Sequence, residues 1–355
     1  MLTPESIEEV QEAVLSQERI RIAGGGTKSA LSRDASLSTA KLSGILEYEP
    51  SEYTFTALAG TPLAVIRDEL AKNGQFLTFD PPFVETGATI GGTVAAGLSG
   101  PGRFRFGGVR DFFLGVKMVT GDGQAIFGGG KVVKNAAGFD IPKLNVGGLG
   151  QWGVIVELTF KVFPAPGEFA TILVETSGAS DARELTTKLA MAPVELFCLD
   201  SNSQSVQVRV GGLAEAIDAR CRRVQSLVGD RAVSILRGDD DNRHWSDARE
   251  FRWVPEGHSL VKLPISPGEM SNVAETLSAP EATVPHRYSV GGNVVWIAWP
   301  DSLGQTEFDR VFASRGQNRL ALTGDWEQPS QIDPRGAVFA DRLQTVFDPG
   351  RKFAG

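Results

Sequence analysis

The sequence predicts a mixed α+β protein with two domains. Its 355 residues exceed the roughly 150 that one domain usually needs, and 41% of them are hydrophobic, which is enough for two cores. The first third alternates predicted strands and helices, whereas several strands of the second half follow one another without an intervening helix. Such consecutive strands are expected to pair antiparallel.

The composition excludes several classes of protein. The net charge of −8 disfavours a protein that binds nucleic acid through phosphate contacts. No apolar run predicts a membrane span, and the N-terminus lacks the basic and apolar segments of an export signal. Cys198 and Cys221 are too few for a disulfide framework, a zinc site or an iron–sulfur cluster. We therefore expect two small buried thiols without a catalytic role, in a cytoplasmic chain.

Local signals place the elements of the first domain. Thr3 and Pro4 are typical of the N-cap and first residue of an opening helix. Residues 19–23 alternate polar and apolar side chains and predict a strand. Asp122 and Gly123 predict the tight turn of a hairpin, because such a turn needs positive φ angles. Further strands are predicted at 45–49, 53–59, 114–120, 124–127 and 154–162, and a helix at 61–73.

A proline-rich breaker, Pro164 to Gly167, marks the end of the first domain. The expected domains are 1–166, then 167–335, with a C-terminal helix and tail at 336–355 that return to the first. In the second domain, strands are predicted at 171–176, 195–199, 205–210, 233–236, 259–263 and 294–299. Helices are predicted at 181–191, 213–228, 240–252, 267–277 and 305–314, with a final one at 335–347.

A glycine-rich loop, Gly24 to Lys28, follows the first predicted strand. Consecutive small residues expose backbone N–H groups that suit a diphosphate, although a simple tight turn uses glycine in the same way. The dinucleotide pattern G-x-G-x-x-G fails because Ser29 stands at its last glycine position. The Walker pattern fails as well, since Lys28 has no preceding glycine and Lys131 is followed by valine.

A second glycine-rich stretch runs from Thr86 to Gly100. Packed beside the first loop, it would lie flat along an extended cofactor, and its hydroxyl groups would form hydrogen bonds while Arg103 or Arg110 offset phosphate charge. The hydroxyl groups in question belong to Thr89, Thr93 and Ser99. The alternative is a loop that only supports a domain interface.

In this order, these motifs resemble the FAD-binding domain of the vanillyl-alcohol oxidase/PCMH-type flavoprotein superfamily. The resemblance rests on residues 24–28, 89–97, 103–111, 119–123 and 135–153. Within the superfamily, residues 98–103 and 134–140 are most similar to the FAD-binding E subunits of bacterial glycolate oxidase. The likeness covers residues 1–166, and the chain length and the ending at 347–350 agree with that family.

The resemblance implies a two-subdomain PCMH-type FAD-binding domain, followed by an α+β cap with an antiparallel sheet over the flavin ring. The first loop would wrap the diphosphate, the second would line the flavin, and residues near 110 and 153 would close the site and reach the adenine. The implied cofactor-binding residues are Gly24, Gly25, Gly26, Thr27, Lys28, Gly87, Thr89, Ile90, Gly91, Gly92, Gly97, Ser99, Gly100, Arg110, Asp111, Gly153 and Ile155. The first loop has neither His nor Cys, so the FAD is expected to be noncovalent.

The cap is where the chain departs from relatives that oxidise 2-hydroxy acids. Those enzymes carry a metal site with histidine and glutamate ligands, whereas His244, His258 and His286 form no close pair, so no metal is expected. The candidate catalytic residues are Arg249 and Arg287, each able to bind a substrate carboxylate.

Neighbouring residues offer plainer interpretations of these candidates. The arginines would instead form ion pairs with the acidic run from Asp239 to Asp241, or lie exposed to solvent. Trp245 and Trp253 would wall a flavin pocket, whereas Trp296 and Trp299 lie in an apolar strand and indicate core.

The resemblance further implies an FAD-binding subunit of a complex that oxidises glycolate, or a related 2-hydroxy acid, to the 2-oxo acid. Because this chain has no cysteine cluster, electrons would leave through an iron–sulfur subunit, and a second FAD-binding subunit would carry the fuller acid-oxidising site. The alternatives are a self-sufficient FAD-dependent 2-hydroxy-acid dehydrogenase and a non-catalytic FAD-binding assembly subunit. The complex would be cytoplasmic, or peripheral on the inner face of the membrane.

Overall fold

The computed structural model describes residues 1–130, 140–278, 284–313, 318–331 and 337–353. The chain divides into two compact units. Unit 1 comprises Met1–Ser99, Gly107–Ala165 and Pro334–Gly355, and unit 2 comprises Gly100–Phe106 and Pro166–Asp333. The assignment of a cofactor domain, a cap and a returning tail to this chain stays a prediction.

The helices and strands are numbered along the chain. The helices are α1 (Ile7–Ser16), α2 (Ser29–Ser32), α3 (Leu63–Ala71), α4 (Ile90–Ala95), α5 (Arg103–Phe106), α6 (Val109–Phe112), α7 (Ile141–Asn145), α8 (Ala179–Ala190), α9 (Ala214–Val228), α10 (Gly238–Arg249), α11 (Met270–Ser278), α12 (Gly304–Phe312) and α13 (Ala337–Phe347). Short 3-10 turns cover Pro50–Glu52 and Pro267–Glu269. Within the described ranges, none of the helices combines the length and the apolarity that crossing a membrane requires.

The strands are β1 (Ile22–Ala23), β2 (Leu37–Ser38), β3 (Ile45–Glu49), β4 (Thr54–Leu58), β5 (Gln75–Phe76), β6 (Phe113–Val119), β7 (Ala125–Gly129), β8 (Val154–Lys161), β9 (Phe163–Pro164), β10 (Glu168–Glu175), β11 (Cys198–Ser201), β12 (Ser205–Gly212), β13 (Val233–Arg237), β14 (His258–Pro264), β15 (His286–Ser289), β16 (Val294–Pro300), β17 (Arg319–Ala321) and β18 (Ser330–Gln331). The mixture of helices with antiparallel sheets confirms the predicted α+β class.

Unit 1 is built on a five-stranded antiparallel sheet in the order β3-β4-β8-β6-β7. Phe160 on the central strand is fully buried and stacks on Phe55 and Phe113 of the two neighbouring strands, at ring distances of 5.7 and 5.1 Å. Aromatic pairs across strands bury large apolar areas and fix the register. The hairpin turn forms where Asp122 and Gly123 predict it, with Gly123 at φ +79°.

The opening helix begins later than the sequence predicts. Leu2 is extended and pairs with the chain at Leu37, its N–H donating to the Ser36 carbonyl at 2.7 Å. Thr3 therefore cannot cap the helix, and Ser6 does so instead by accepting a hydrogen bond from the Glu9 N–H at 3.2 Å. The predicted strand at 19–23 is also shorter, because the Ile20 N–H bonds to the Lys352 carbonyl before β1 starts.

The end of the chain packs within unit 1. The Gly121 N–H donates to the Phe347 carbonyl at 2.8 Å, at the end of α13. The buried Asp348 carboxylate then accepts from the N–H groups of Lys352 and Phe353 at 2.9 and 2.8 Å. Phe353 is only 3% exposed, so the tail contributes to the core around α1. Arg335, where the sequence places the start of the final helix, lies outside the described residues.

Unit 2 is built on a nine-stranded antiparallel sheet in the order β13-β10-β12-β11-β15-β16-β14-β17-β18. This confirms the prediction that consecutive strands of the second half pair antiparallel. Helices α8 and α9 cover part of the sheet, with Leu189 and Ile217 buried against Ile172 and Val208. Cys221 on α9 and Cys198 on β11 are each 2% exposed, which agrees with their interpretation as buried apolar side chains.

A short segment of the glycine-rich region belongs to unit 2. Residues Gly100–Phe106, which include α5, are anchored there by an ion pair of Arg105 with Glu195 at 2.9 Å. Phe106 also packs edge-on against Phe197, with ring centroids 5.2 Å apart. The chain therefore leaves unit 1 after Ser99 and rejoins it at Gly107.

Candidate functional site

The first glycine-rich loop lies where the sequence places it, between β1 and the four-residue helix α2. Gly26 has a φ of +72°, a conformation that favours glycine. None of the backbone N–H groups from Gly24 to Lys28 donates a hydrogen bond to another group in the part of the chain that the structure describes. The loop thus presents a run of backbone donors without acceptors, as an anion-binding concavity requires.

The second glycine-rich loop leads into α4. The Thr89 hydroxyl caps this helix by accepting from the Gly92 N–H at 3.2 Å. The Gly91 N–H donates to the Ala59 carbonyl at 2.9 Å, and a Cβ on Gly91 would approach the Ala59 side chain to 2.7 Å. Glycine at position 91 is therefore required by close packing against Ala59, the residue that follows β4.

The two loops touch through their backbones. A Cβ on Gly25 would lie 2.1 Å from the Gly87 carbonyl oxygen, and a Cβ on Gly24 would lie 2.3 Å from the Thr89 hydroxyl. Atoms at such distances overlap, so a side chain at Gly25 would displace the Gly87 backbone, and one at Gly24 would displace the Thr89 hydroxyl. The structure brings the two loops side by side, as the cofactor hypothesis requires.

Lys28 closes the first loop with a buried ammonium group. The residue is 8% exposed, and its Nζ lies 3.0 Å from the Thr27 hydroxyl and 5.6 Å from the centre of the Phe83 ring. No carboxylate of the described residues forms an ion pair with it. Burial lowers the pKa of Lys28 to about 8, because the charged form loses hydration without gaining a counter-charge.

Gly97, Ser99 and Arg110 are predicted cofactor residues that lie further along the chain. Gly97 sits at the end of α4 with a φ of +60°, and a Cβ on it would lie 3.1 Å from the Gly147 backbone. The Ser99 hydroxyl accepts from the Val109 N–H at 2.9 Å. Arg110 is exposed on α6. The contacts described for Gly97 and Ser99 do not involve the first loop.

Asp111 and the segment near Gly153 have structural tasks of their own. The exposed Asp111 carboxylate accepts from the Gly108 N–H at 2.7 Å. A Cβ on Gly153 would lie 2.5 Å from the Val119 carbonyl oxygen, and Ile155 is 7% exposed in the sheet. Gly100 lies in the segment that belongs to unit 2. Residues 134–139 of the asparagine-containing motif lie outside the described residues.

The structure contains features that fit an FAD molecule between these loops. Among the described residues, the backbone donors of the first loop have no acceptor and the Lys28 ammonium has no carboxylate partner, which suits two phosphates. The Thr93 hydroxyl on α4 is buried and has no hydrogen-bond partner in that part of the chain. A buried hydroxyl without a partner is unfavourable in the protein alone, so a ligand atom would satisfy it. Neither His nor Cys occurs from Gly24 to Lys28, which agrees with a noncovalent cofactor.

In unit 2, the structure gives Arg287 a different ion-pair partner from the expected one. Its Nε donates to the fully buried Asp200 carboxylate at 3.0 Å, and not to the acidic run that begins at Asp239. The acidic residue of that run that is buried, Asp241, pairs instead with Arg209 at 2.6 Å. No sequence pattern indicates either partner, because both pairs form between separate strands and helices of the unit.

Other candidate residues of unit 2 are part of the protein interior. Trp245 is fully buried, packs with Cys198 and donates its indole N–H to the Thr171 hydroxyl at 2.6 Å. Trp296 and Trp299 are buried in β16, as predicted. Arg249 is half-buried at the end of α10. Within the described residues there is no cluster of three or more acidic, histidine or cysteine side chains able to hold a metal ion.

Comparison with known proteins finds similarity to FAD-binding proteins. Residues 1–127 match the family model described as FAD binding domain. Glycolate oxidase subunit GlcE of Escherichia coli is 28% identical over 98% of this chain and 96% of its own length. The D-2-hydroxyglutarate dehydrogenase of Xanthomonas citri and the D-lactate dehydrogenase of Archaeoglobus fulgidus are each 30% identical, over 46% and 50% of this chain. The chain covers only 36% and 40% of those two proteins.

Solved structures confirm the fold. An alkyldihydroxyacetonephosphate synthase superposes over 99% of this chain and 76% of its own, with a TM-score of 0.71 and 16% sequence identity. At that identity the likeness concerns the fold alone. Residues 1–127 thus match an FAD binding domain, and the chain is similar over 98% of its length to a glycolate oxidase subunit.

Proposed function

We propose that this chain is the FAD-binding subunit of a glycolate oxidase-like complex, which oxidises glycolate or a related 2-hydroxy acid to the 2-oxo acid. The observation that carries the proposal is the similarity to a glycolate oxidase subunit over 98% of the chain. It is supported by the contact between the two glycine-rich loops at Gly25 and Gly87. Bound FAD would supply the two-electron acceptor for the hydride that leaves the alcohol carbon.

The residues proposed to hold FAD divide by task. Backbone N–H groups from Gly24 to Lys28 would bind the diphosphate, because they lack acceptors in the described chain. Gly87 to Gly92 would let the flavin approach the backbone, and the orphan hydroxyl of Thr93 would complete its hydrogen bonding there. The remaining predicted residues, from Gly97 to Ile155, are also proposed to bind FAD. Their described contacts do not involve the first loop.

Two arginines of unit 2 are the candidates for substrate binding by this chain itself. The buried Nη2 of Arg287 has no partner among the described residues, and it would suit a carboxylate oxygen. Its charge, however, is offset by Asp200. Arg249 stays the second candidate. Because the described residues contain no metal-binding cluster, we infer that another FAD-binding subunit carries the fuller acid-oxidising site, with an iron–sulfur subunit as the electron acceptor.

The same observations favour a second candidate function, a non-catalytic FAD-binding assembly subunit. A neutralised Arg287 and the lack of a metal cluster among the described residues would both fit a subunit that retains the fold for assembly. A self-sufficient dehydrogenase is the third candidate. We place the complex in the cytoplasm or on the inner membrane face, since both thiols are free and buried.

The absorption spectrum of the purified protein tests the proposal. We expect a flavin spectrum, FAD released on acid denaturation, and no bleaching by anaerobic glycolate until the partner subunits are added. Bleaching of the isolated chain would establish the self-sufficient dehydrogenase instead. Persistent flavin absorbance with the partners present would favour the assembly subunit, and a protein that cannot be loaded with FAD would overturn the cofactor site.

A further inference from the structure

Lys28 is a buried cation for which the described protein provides no counter-charge. It is 8% exposed, and the groups at its ammonium are neutral, namely the Thr27 hydroxyl and the Phe83 ring. Several other lysines of unit 1 form ion pairs with carboxylates. Lys117, for example, pairs with Glu157 at 3.0 Å.

An uncompensated buried ammonium disfavours folding, because it loses hydration without gaining an ion pair. A neutral side chain of similar length would pack there at lower cost. The cation is therefore unfavourable in the protein alone and becomes favourable only if an anion enters the site. The N–H groups of the preceding residues, Gly24 to Thr27, have no acceptor in the described chain, so they also favour an anion, and one with several oxygen atoms.

We propose that Lys28 supplies the charge that neutralises the FAD diphosphate, and that it thereby makes the site select a phosphorylated flavin over a neutral one. The inference rests on the proposed FAD site and assigns one residue a specificity role within it. Backbone N–H groups bind the phosphate oxygens by dipoles, whereas Lys28 is the one full positive charge within the buried part of the first loop. Riboflavin, which has no phosphate, would gain nothing from this charge.

The proposal predicts opposite effects on the apoprotein and the loaded protein. The substitution Lys28→Met keeps the length and apolar body of the side chain and removes its charge. The apoprotein should unfold at the same or a higher temperature than wild type, because an unpaired buried charge is gone. FAD binding should weaken by about 10- to 100-fold, the range of a charge-assisted hydrogen bond. A lysine with a purely structural role would lower apoprotein stability instead.

The experiment compares apoproteins by flavin fluorescence titration and thermal unfolding. Wild type, K28M and K28R are titrated with FAD and with riboflavin, and K161M is the matched control. Lys161 also lies over a phenylalanine ring, that of Phe163, at 4.7 Å, but on β8. We expect weaker FAD binding in K28M alone, near-wild-type binding in K28R and K161M, and one riboflavin affinity for all four proteins.

Two outcomes would overturn the inference. One is equal FAD affinity in K28M and wild type, and the other is an equal loss of FAD and riboflavin binding together with a lower unfolding temperature. If K28M does not fold, K28Q provides the same comparison with a neutral polar group. Failure of the wild-type protein to bind FAD would overturn the proposed site as a whole, and so differs from a failure of the Lys28 role.

Discussion

A Cβ atom on Gly25 would lie 2.1 Å from the carbonyl oxygen of Gly87. The two glycine-rich loops therefore contact each other backbone to backbone, and the conflict cannot be relieved by rotating a flexible side chain. We expect Gly25→Ala to destabilise the protein by about 1–3 kcal/mol, as overpacking in a rigid interior does. FAD should be lost from the purified protein, because the loops must separate.

Gly350→Ala is the matched control for this prediction. A Cβ at Gly350 would meet the Lys352 side chain at 3.6 Å, an ordinary contact, in the same unit. Urea unfolding and the ratio of flavin to protein absorbance measure both effects. A G25A protein with wild-type stability and a full complement of FAD would show that the loops do not pack as described.

Much of the fold was predictable where a local signal decides the structure. Gly74, with a φ of +61°, follows α3 as a helix-ending glycine should, and Gly123 turns the hairpin between β6 and β7. The sequence predicts none of the short strands β2, β5, β9, β15, β17 and β18. Strand β15 holds the polar residues His286 to Ser289 and is fixed by its neighbours in the sheet, which is tertiary information.

The candidate site divides in the same way. Its glycines and Lys28 were predictable because backbone conformation and residue type are written in the sequence. The sequence does not predict that Gly25 contacts Gly87, nor that Lys28 has no ion pair among the described residues. Both depend on how distant segments pack. The partner of Arg287 shows the same limit, because Asp200 on another strand replaces the nearby acidic run.

The pKa of Lys28 predicts how FAD affinity depends on pH. Burial lowers this pKa to about 8 in the protein without ligand, and no charged side chain contributes to the shift. A diphosphate would raise the pKa again, so the lysine takes up a proton on binding above pH 8. FAD affinity should therefore be constant below about pH 7.5 and fall by up to about tenfold between pH 8 and 9.

Flavin fluorescence titrations across this pH range measure the effect. The FAD affinity of K28R should change little with pH, because arginine stays protonated. K28M should bind FAD weakly at every pH. A fall in affinity of the same size in K28M would assign the pH dependence to another group.

The buried pair of Asp200 and Arg287 is predicted to be essential to unit 2. Asp200 is 1% exposed and also accepts hydrogen bonds from the Ser289 hydroxyl at 2.7 Å and the Val290 N–H at 3.3 Å. Arg287→Met would leave that carboxylate buried without its cation, which should cost about 3–5 kcal/mol. The double variant D200N/R287M should recover part of the loss, because neither charge then remains.

A double-mutant cycle by urea unfolding measures the coupling between these residues. If the changes in unfolding free energy of the two single variants add up to that of the double variant, Asp200 and Arg287 do not stabilise each other. The double variant also tests the proposed role of Arg287 toward substrate. If D200N/R287M folds and binds FAD, full glycolate-dependent flavin reduction in the assembled complex would exclude Arg287 as the carboxylate ligand.

His244 predicts a loss of stability in mild acid. Its Nε2 lies 3.2 Å from the Gln207 side-chain oxygen, and burial, with the nearby Arg287 charge, lowers its pKa from 6.5 to about 4. Asp241 and Asp247 oppose this shift, and Arg209 adds to it. His244 is therefore protonated near pH 6.5 in the unfolded chain, but only near pH 4 in the folded protein. Stability from this group is complete above pH 6.5 and is lost as the pH falls toward 4.

The variant His244→Gln isolates this contribution, since glutamine can still bond to Gln207 but does not titrate. The unfolding temperature of H244Q should fall less steeply than that of wild type between about pH 6.5 and 4.5. Burial also lowers the pKa of His286, so part of the slope should remain. H258Q serves as the control, because His258 lies in an exposed hydrogen bond to the Glu256 carbonyl. Identical slopes in wild type and H244Q would show that His244 titrates normally in the folded protein.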